Sequence, residues 1–348
     1  MTGEGTRTQE SGVWAQLPKA ELHVHLEGTL EPAMLLELAE RNRVPVPWNS
    51  IEDLEGAYHF EGLPHFLTLL FQGARVLRQR RDFYDLTHAY LRRAHQDGVR
   101  LVEMFVGPQT FLDADIPLDA QLGGVFDAIE DARSGFGIDA KVLLTAQRHR
   151  TEAAALELLD MARPWYDRLL GFGLGGAERG NPPAEFANYY AQCRRLGLRT
   201  TIHAGEDGPS DYVREALDVC HPDRIDHGVA AADDPELIKR LVDERIPLTM
   251  CPLSNLRLGV TPDLRQHPLR RLQQAGVLVT VNSDDPPYFG GYLNDNYRAI
   301  ATALDLTDHD VATLVGNGFA ASFAERGVVD AALADIADGT RGHARGTS

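Results

Sequence analysis

Eight short runs rich in Val, Ile, Leu and Thr, with helical patterns between them, predict an α/β fold closed as a (β/α)8, or TIM, barrel. Two further observations favour closure over an open sheet. The 348 residues suffice for a barrel of about 250 residues plus insertions. The unusual polar residues also gather at the C-terminal ends of the runs, the face on which such barrels collect reactive groups.

The runs are 20–27, 100–107, 139–146, 169–175, 199–204, 224–229, 246–251 and 277–283. The first gap, 28–99, is too long for one helix and predicts a helical insertion after the first strand. Within it, Glu31 to Arg41 reads as a helix with Pro32 in its first turn. Leu63 to Leu77 and Phe83 to His95 read as two more. An insertion placed there lies over the reactive face and suits a lid. No internal repeat or interdomain linker interrupts the pattern. The domain reading is a flexible N-terminus over 1–13, one barrel over 14–336, and a disordered tail over 337–348, rich in Gly, Arg and Thr.

Gly171-Phe172-Gly173-Leu174-Gly175-Gly176 satisfies GxGxxG after a strand. A dinucleotide fingerprint must open into a helix, whereas Gly180-Asn181-Pro182-Pro183 is loop chemistry, so nucleotide binding is set aside.

Composition narrows the function classes. Hydrophobic residues make up 43% and charged residues 24%, an ordinary globular balance. A net charge of −17 argues against a nucleic-acid partner. No apolar run approaches the ~20 residues that span a membrane, and Met1 to Ser11 carries no apolar signal core. Cys193, Cys220 and Cys251 suggest neither a disulfide framework nor a CxxC site, so a cytoplasmic protein with reduced thiols is expected. Assembly into a homo-oligomer is compatible with all of this.

His23 and His25 stand two apart in Ala20-Glu21-Leu22-His23-Val24-His25-Leu26-Glu27-Gly28. On a strand, such a pair shares one face and can grip one ion from one wall. Alone the pattern is weak, because two histidines at a strand end can simply face water. Three other strand ends strengthen it: His203-Ala204-Gly205-Glu206 on the fifth, Asp226-His227-Gly228 on the sixth, and Asn282-Ser283-Asp284-Asp285 on the eighth. His23, His25, His203 and Asp284 suit Zn²⁺, Fe²⁺ or a similar ion, with one position left for a water whose pKa falls to about 7. Glu206, three residues after His203, is placed to act as acid or base. His227 and Asp285 can orient water and substrate. A two-metal site usually needs a bridging carboxylate, often a modified lysine. Lys141 begins the third strand, at the wrong end, so one metal is expected and the chain reads as a single metal-dependent hydrolase barrel.

Four motifs now combine: Leu17-Pro18-Lys19-Ala20-Glu21-Leu22-His23-Val24-His25-Leu26-Glu27-Gly28-Thr29-Leu30-Glu31-Pro32, His203-Ala204-Gly205-Glu206, Arg224-Ile225-Asp226-His227-Gly228 and Val281-Asn282-Ser283-Asp284-Asp285-Pro286. In this order, across roughly 17–325, the chain resembles the adenosine/adenine deaminase family of the amidohydrolase superfamily. The resemblance implies one zinc ion per chain on His23, His25, His203 and Asp284, and a small-molecule purine as partner. It implies that Glu206 protonates ring N1 and that His227 orients and deprotonates the attacking water. Asp285 then hydrogen-bonds N7 and the hydroxide, and Gly176 contacts N3. Glu27 joins Gly176 and Asp285 in the expected substrate-binding set. The implied reaction adds hydroxide at C6 and releases ammonia. The Pro-Cys-x-x-Cys signature of zinc deaminases acting on polynucleotides is missing.

Gly107-Pro108-Gln109-Thr110 and the segment Ser283 to Tyr292 look like the adenine deaminase branch. The chain departs from that branch at Gly107, where aspartate is usual, and at Phe111, where histidine is usual. It departs again in the fourth-strand loop, where Asp-Ser-Ser-Glu is typical and this chain has Gly173-Leu174-Gly175-Gly176-Ala177-Glu178. Loss of these polar side chains predicts a roomier pocket and a substrate substituted at N9. The candidates are 6-aminodeoxyfutalosine, deaminated by relatives of this family in menaquinone biosynthesis, and adenosine. Free adenine is the alternative, and a noncatalytic purine-binding barrel a distant one. Arg75, Arg78, Arg80 and Arg81 lie in the expected lid and could meet a substrate carboxylate. Phe66, Phe71 and Phe105 read first as core and second as an apolar wall for a purine. His267 and the other histidines off the strand ends are expected in surface or packing roles.

Overall fold

Parallel pairing runs around the molecule in sequence order. The computed structural model describes residues 12–346. Its strands are β1 (Lys19–Glu21), β2 (Val99–Val106), β3 (Asp139–Gln147), β4 (Gly171–Gly175), β5 (Arg199–Ala204), β6 (Arg224–His227), β7 (Leu248–Met250) and β8 (Val279–Val281). Neighbours pair in the order β1 to β8. The seam between β8 and β1 is stitched just beyond the strands. His25 N–H donates to the Asp284 carbonyl at 2.9 Å, and Asp284 N–H to the His23 carbonyl at 3.1 Å. The result is the expected (β/α)8 barrel.

The strands read as nearly continuous apolar runs because both of their faces are covered, by helices outside and by packed side chains within. Three charged side chains buried in the barrel find partners. Lys19 Nζ donates to the carbonyls of Ala15, Leu17 and Asp97, each at 2.9 Å. Arg224 donates to Glu103 at 2.7 Å. Glu21 accepts from Tyr90 at 2.6 Å and from Ser283 at 2.5 Å.

Two strand ends differ from expectation. β1 stops at Glu21, so His23 and His25 lie in an extended segment beyond it, bridged through Val24 to Asp284 and through His25 to Phe105. β6 stops at His227 because His227 and Gly228 both take positive φ, 62° and 68°, which ends the ladder.

The insertion after β1 holds four helices: α1 (Pro32–Asn42), α2 (Ile51–Gly56), α3 (Leu63–Ala74) and α4 (Arg80–Gln96). α2 escaped the periodicity because it is six residues long and buries only Leu54. Ser50 caps it by accepting from Asp53 N–H. α3 turns its apolar face inward, with Phe66 packed on Phe289 at 4.6 Å between ring centroids. It ends before the expected Leu77, since Val76 and Leu77 close a turn on the Gly73 and Ala74 carbonyls.

At the front, residues 1–11 of the expected flexible segment lie outside the described residues, while Trp14 is buried and packs on Tyr297. At the back, a helix runs Arg326–Gly346, through most of the segment expected to be a disordered tail. Ile336 buries just before that segment, and Arg341 pairs with Asp338 one turn away, which supports helix where Gly and Thr suggested coil. Among the described residues, no helix is long and apolar enough to cross a membrane.

Candidate active site

The segments leaving β1, β5 and β8 bring four donor atoms to one point. His25 Nε2 lies 3.2 Å from His203 Nε2. His23 Nε2 and His25 Nε2 each lie 3.4 Å from Asp284 Oδ1. Such separations suit ligands on one ion at bonds of about 2.0–2.1 Å. His23 Nε2 is buried and makes no hydrogen bond, an open valence that a metal would fill. Burial pushes His25 down to about 3, so the neutral imidazole keeps its lone pair for coordination. Burial also opposes charge on Asp284, but the close approach of His23, with His227 and His25, holds it well below the carboxylate range. The four residues singled out as ligands are therefore together, and their chemistry fits a divalent metal.

Local backbone explains the aim of two of these groups. Asp284 adopts φ 63° and His227 φ 62°, left-handed conformations that non-glycine residues rarely take outside functional sites. Gly28 permits a close approach: a Cβ there would fall 1.7 Å from Asp285 Oδ1.

The acid–base groups surround the donors. His227 Nε2 is 3.7 Å from Glu206 Oε1 and 3.9 Å from Asp284 Oδ2. Burial, with Asp284 and Glu178 nearby, raises the Glu206 carboxyl well above its ordinary range and favours its protonated form. Asp285 is raised in the same way by burial and by Asp284. Burial and the neighbouring His23 push His227 well down. Glu27 accepts from Gly107 N–H at 2.7 Å, and burial lifts it to about 7. Gly176 takes φ 96° at the end of β4 and lines the same cavity as Glu27 and Asp285.

Several supporting residues carried no sequence signal, because each acts through a partner far along the chain. Thr249 is one. Its hydroxyl donates to Asp226 Oδ1 at 2.9 Å and lies 2.9 Å from His23 Nδ1, leaving His23 Nε2 for the cluster. The other Asp226 oxygen lies 3.3 Å from His203 Nδ1, so one buried carboxylate orients two of the three histidines. Glu178 accepts from the N–H groups of Gly205, Glu206 and Gly208 at 2.5, 2.9 and 3.0 Å, which fixes the loop carrying Glu206. Arg148, fully buried, donates to the carbonyls of His203 and Asn181. Cys251 was expected to be bland, yet its sulfur groups with donor atoms of His23, His227 and Asp284, all within 4.8 Å of one another.

Above the donors lies a cavity roofed by α3. Leu63, Phe66, Leu67, Leu70, Phe71 and Ala74 supply an apolar ceiling. Phe66 and Phe71 thus form the wall that the sequence offered only second, whereas Phe105 lies buried beneath His23 at 5.0 Å between ring centroids. The four lid arginines do not reach this cavity. All are exposed, and Arg80 pairs with Asp127 and Arg81 with Asp85. The expected cation for a substrate carboxylate is therefore lacking among the lining residues.

Comparison with known proteins places the chain in a family. The sequence profile described as adenosine deaminase matches residues 18–338. An adenine deaminase of Rhodopseudomonas palustris is 50% identical over 307 residues, covering 88% of this chain and 90% of the relative. One of Ralstonia nicotianae is 49% identical, covering 89% and 91%. The crystal structure of an adenine deaminase from Arthrobacter aurescens superposes with a TM-score of 0.91 at 40% identity, over 93% of this chain and 99% of that one. An amidohydrolase from Burkholderia ambifaria with bound Zn gives 0.88 at 27% identity, over 97% and 94%. With the family profile matching 18–338 and relatives near 50% identity covered over most of their length, the chain belongs to the adenosine deaminase family of the amidohydrolase superfamily and is a purine deaminase.

Proposed function

We propose that this chain hydrolyses free adenine to hypoxanthine and ammonia, using one zinc ion held by His23, His25, His203 and Asp284. The observation that carries the reading is the convergence of those four donors beside a protonated, buried Glu206 under an apolar roof. When bound, zinc supplies a Lewis acid that brings the pKa of a coordinated water to about 7.

The protein groups divide the remaining work. Glu206 holds its proton through burial and delivers it to ring N1, making C6 electrophilic. His227, which lines the cavity beside Glu206 and Asp284, orients the attacking oxygen. Asp285 and Glu27, both pushed toward the neutral form by burial, can donate hydrogen bonds to ring nitrogens. Gly176 lets its backbone approach the purine edge without a side chain between them. Protons balance: N1 keeps the one from Glu206, and of the water's two, one leaves on ammonia and one returns to Glu206.

Free adenine is favoured over the N9-substituted substrates on two grounds. Relatives near 50% identity are named adenine deaminase. No arginine lines the cavity to receive the carboxylate of 6-aminodeoxyfutalosine. The N9-substituted reading keeps one supporting observation: a Cβ on Gly176 would meet nothing nearer than 3.7 Å, so space remains there. The test is kcat/KM for adenine, adenosine and 6-aminodeoxyfutalosine. Adenine should win by about a hundredfold or more, the discrimination open to a site built of hydrogen bonds. A nucleoside processed as well as adenine would overturn the choice.

A further inference from the structure

We infer that Asn255 and His267, neither placed in any role above, are positioning residues that set the tautomer of His227. This rests on the proposed role of His227 in orienting the attacking oxygen. The two residues form a buried chain behind it. His267 Nε2 lies 3.1 Å from Asn255 Oδ1, and Asn255 Nδ2 lies 3.4 Å from His227 Nδ1. His227, Asn255 and His267 are 1%, 0% and 3% exposed, so solvent does not compete for these bonds.

The direction of the chain is set at its far end. Leu269 N–H points at His267 Nδ1 from 3.3 Å, and a backbone N–H can only donate. His267 Nδ1 therefore carries the lone pair, and its proton sits on Nε2. That proton is donated to Asn255 Oδ1, which fixes which end of the amide faces which ring. The Asn255 NH2 then points at His227 Nδ1, which must accept. The neutral His227 ring is left with its proton on Nε2, the nitrogen facing Glu206 and Asp284, so it donates to the attacking oxygen and does not deprotonate it, a correction to the role the family resemblance implied.

The backbone that carries Asn255 is anchored at both of its polar groups. It lies in the short helix Pro252–Arg257, where its N–H bonds the Cys251 carbonyl at 2.9 Å and its own carbonyl accepts from Thr261 N–H at 2.9 Å. Burial pushes His267 down to about 4, which keeps it in the neutral form that the chain requires. A backbone donor at Leu269 thus dictates, through two side chains, the hydrogen-bonding sense of a ring in the active site.

The test uses zinc-loaded protein with 15N-labelled histidine, His227 being assigned by its loss in H227N. In the native protein the His227 Nδ1 resonance should be of the unprotonated type. In N255D it should become the protonated type, since a carboxylate there needs a donor. In parallel, N255L and H267F should lower kcat for adenine by about 10- to 100-fold, the usual cost of losing an orienting partner, with KM within about twofold and zinc content unchanged. H267Q, which keeps an N–H at similar reach, should recover most of the turnover lost in H267F. A protonated Nδ1 in the native protein, or H267F with native kcat, would overturn the inference. Lack of turnover of adenine by the native protein would instead count against the proposed function, and the 15N measurement would still decide the tautomer.

Discussion

Glu206 is 6% exposed, and its oxygen lies 3.7 Å from His227 Nε2. At that depth ionisation is opposed by desolvation and by Asp284 and Glu178, which shifts the carboxyl toward its acid form. The sign follows directly. A raised carboxyl is protonated below its folded pKa, so proton donation to the purine is available there and is lost as pH rises through that value. E206Q should therefore lower kcat by about 100-fold or more, within the range for a lost general acid. It should also remove the alkaline fall in kcat/KM expected of the native enzyme, while metal content stays the same. A pH–rate profile of both proteins, with metal analysis, checks this. Near-native turnover in E206Q would remove Glu206 as the donor. The sequence placed Glu206, His227 and Asp285 near the donors from motif spacing alone. It carried no sign of Thr249, Asp226 or Glu178 as supports, because hydrogen bonds spanning 20 or more residues leave no local pattern.

Two elements shape the site as units. The first is α3, whose apolar face roofs the cavity. Phe71 is half-buried there, with its ring 6.1 Å from His149. F71A should raise KM for adenine about tenfold, which corresponds to roughly 1.4 kcal/mol of lost apolar contact. It should leave the midpoint of thermal unfolding nearly unchanged, since the side chain faces the cavity. Steady-state kinetics and a melting curve separate the two effects. The second element is β1, joined by Glu21 to Tyr90 on α4 and to Ser283 after β8. Burial lifts Glu21 from the ordinary 4.5 to about 7. Because the folded value is the higher one, its contribution to stability is complete below about 4.5 and is lost as pH rises through about 7. The loss amounts to about 3 kcal/mol, at 1.36 kcal/mol per pH unit. E21Q should flatten the decline in stability between pH 5 and 7, measured by urea unfolding at each pH. An equal slope in both proteins would exclude Glu21 as its source.

At the scale of the whole molecule, the metal cluster ties the two ends of the barrel together. His23 and His25 follow β1 and Asp284 follows β8, so an ion held there spans the seam where the ring closes. A bound metal adds its binding free energy to the folded state only. Chelation should therefore abolish turnover and also lower the unfolding temperature. One equivalent of Zn²⁺ should restore both, as measured by activity and calorimetry. Two equivalents needed for full recovery would contradict the mononuclear site.

The order of eight strands, the helical insertion and the four side chains that converge at the candidate site were legible in the sequence. Each is written locally, as an apolar run, a periodicity, or a histidine spent where packing wanted an apolar side chain. Short or weakly buried pieces were not legible: α2 buries a single leucine, and the helix Arg326–Gly346 passes through a Gly- and Thr-bearing stretch. Strand ends set by a positive φ at His227 were equally hidden. Tertiary structure alone decided that the lid arginines face away from the cavity, that α3 roofs it with apolar side chains, and that Asn255 and His267 stand behind His227. The reason is physical. Periodicity tells which face of an element is buried, but what that face meets depends on barrel closure, which brings residues hundreds of positions apart to within a hydrogen bond.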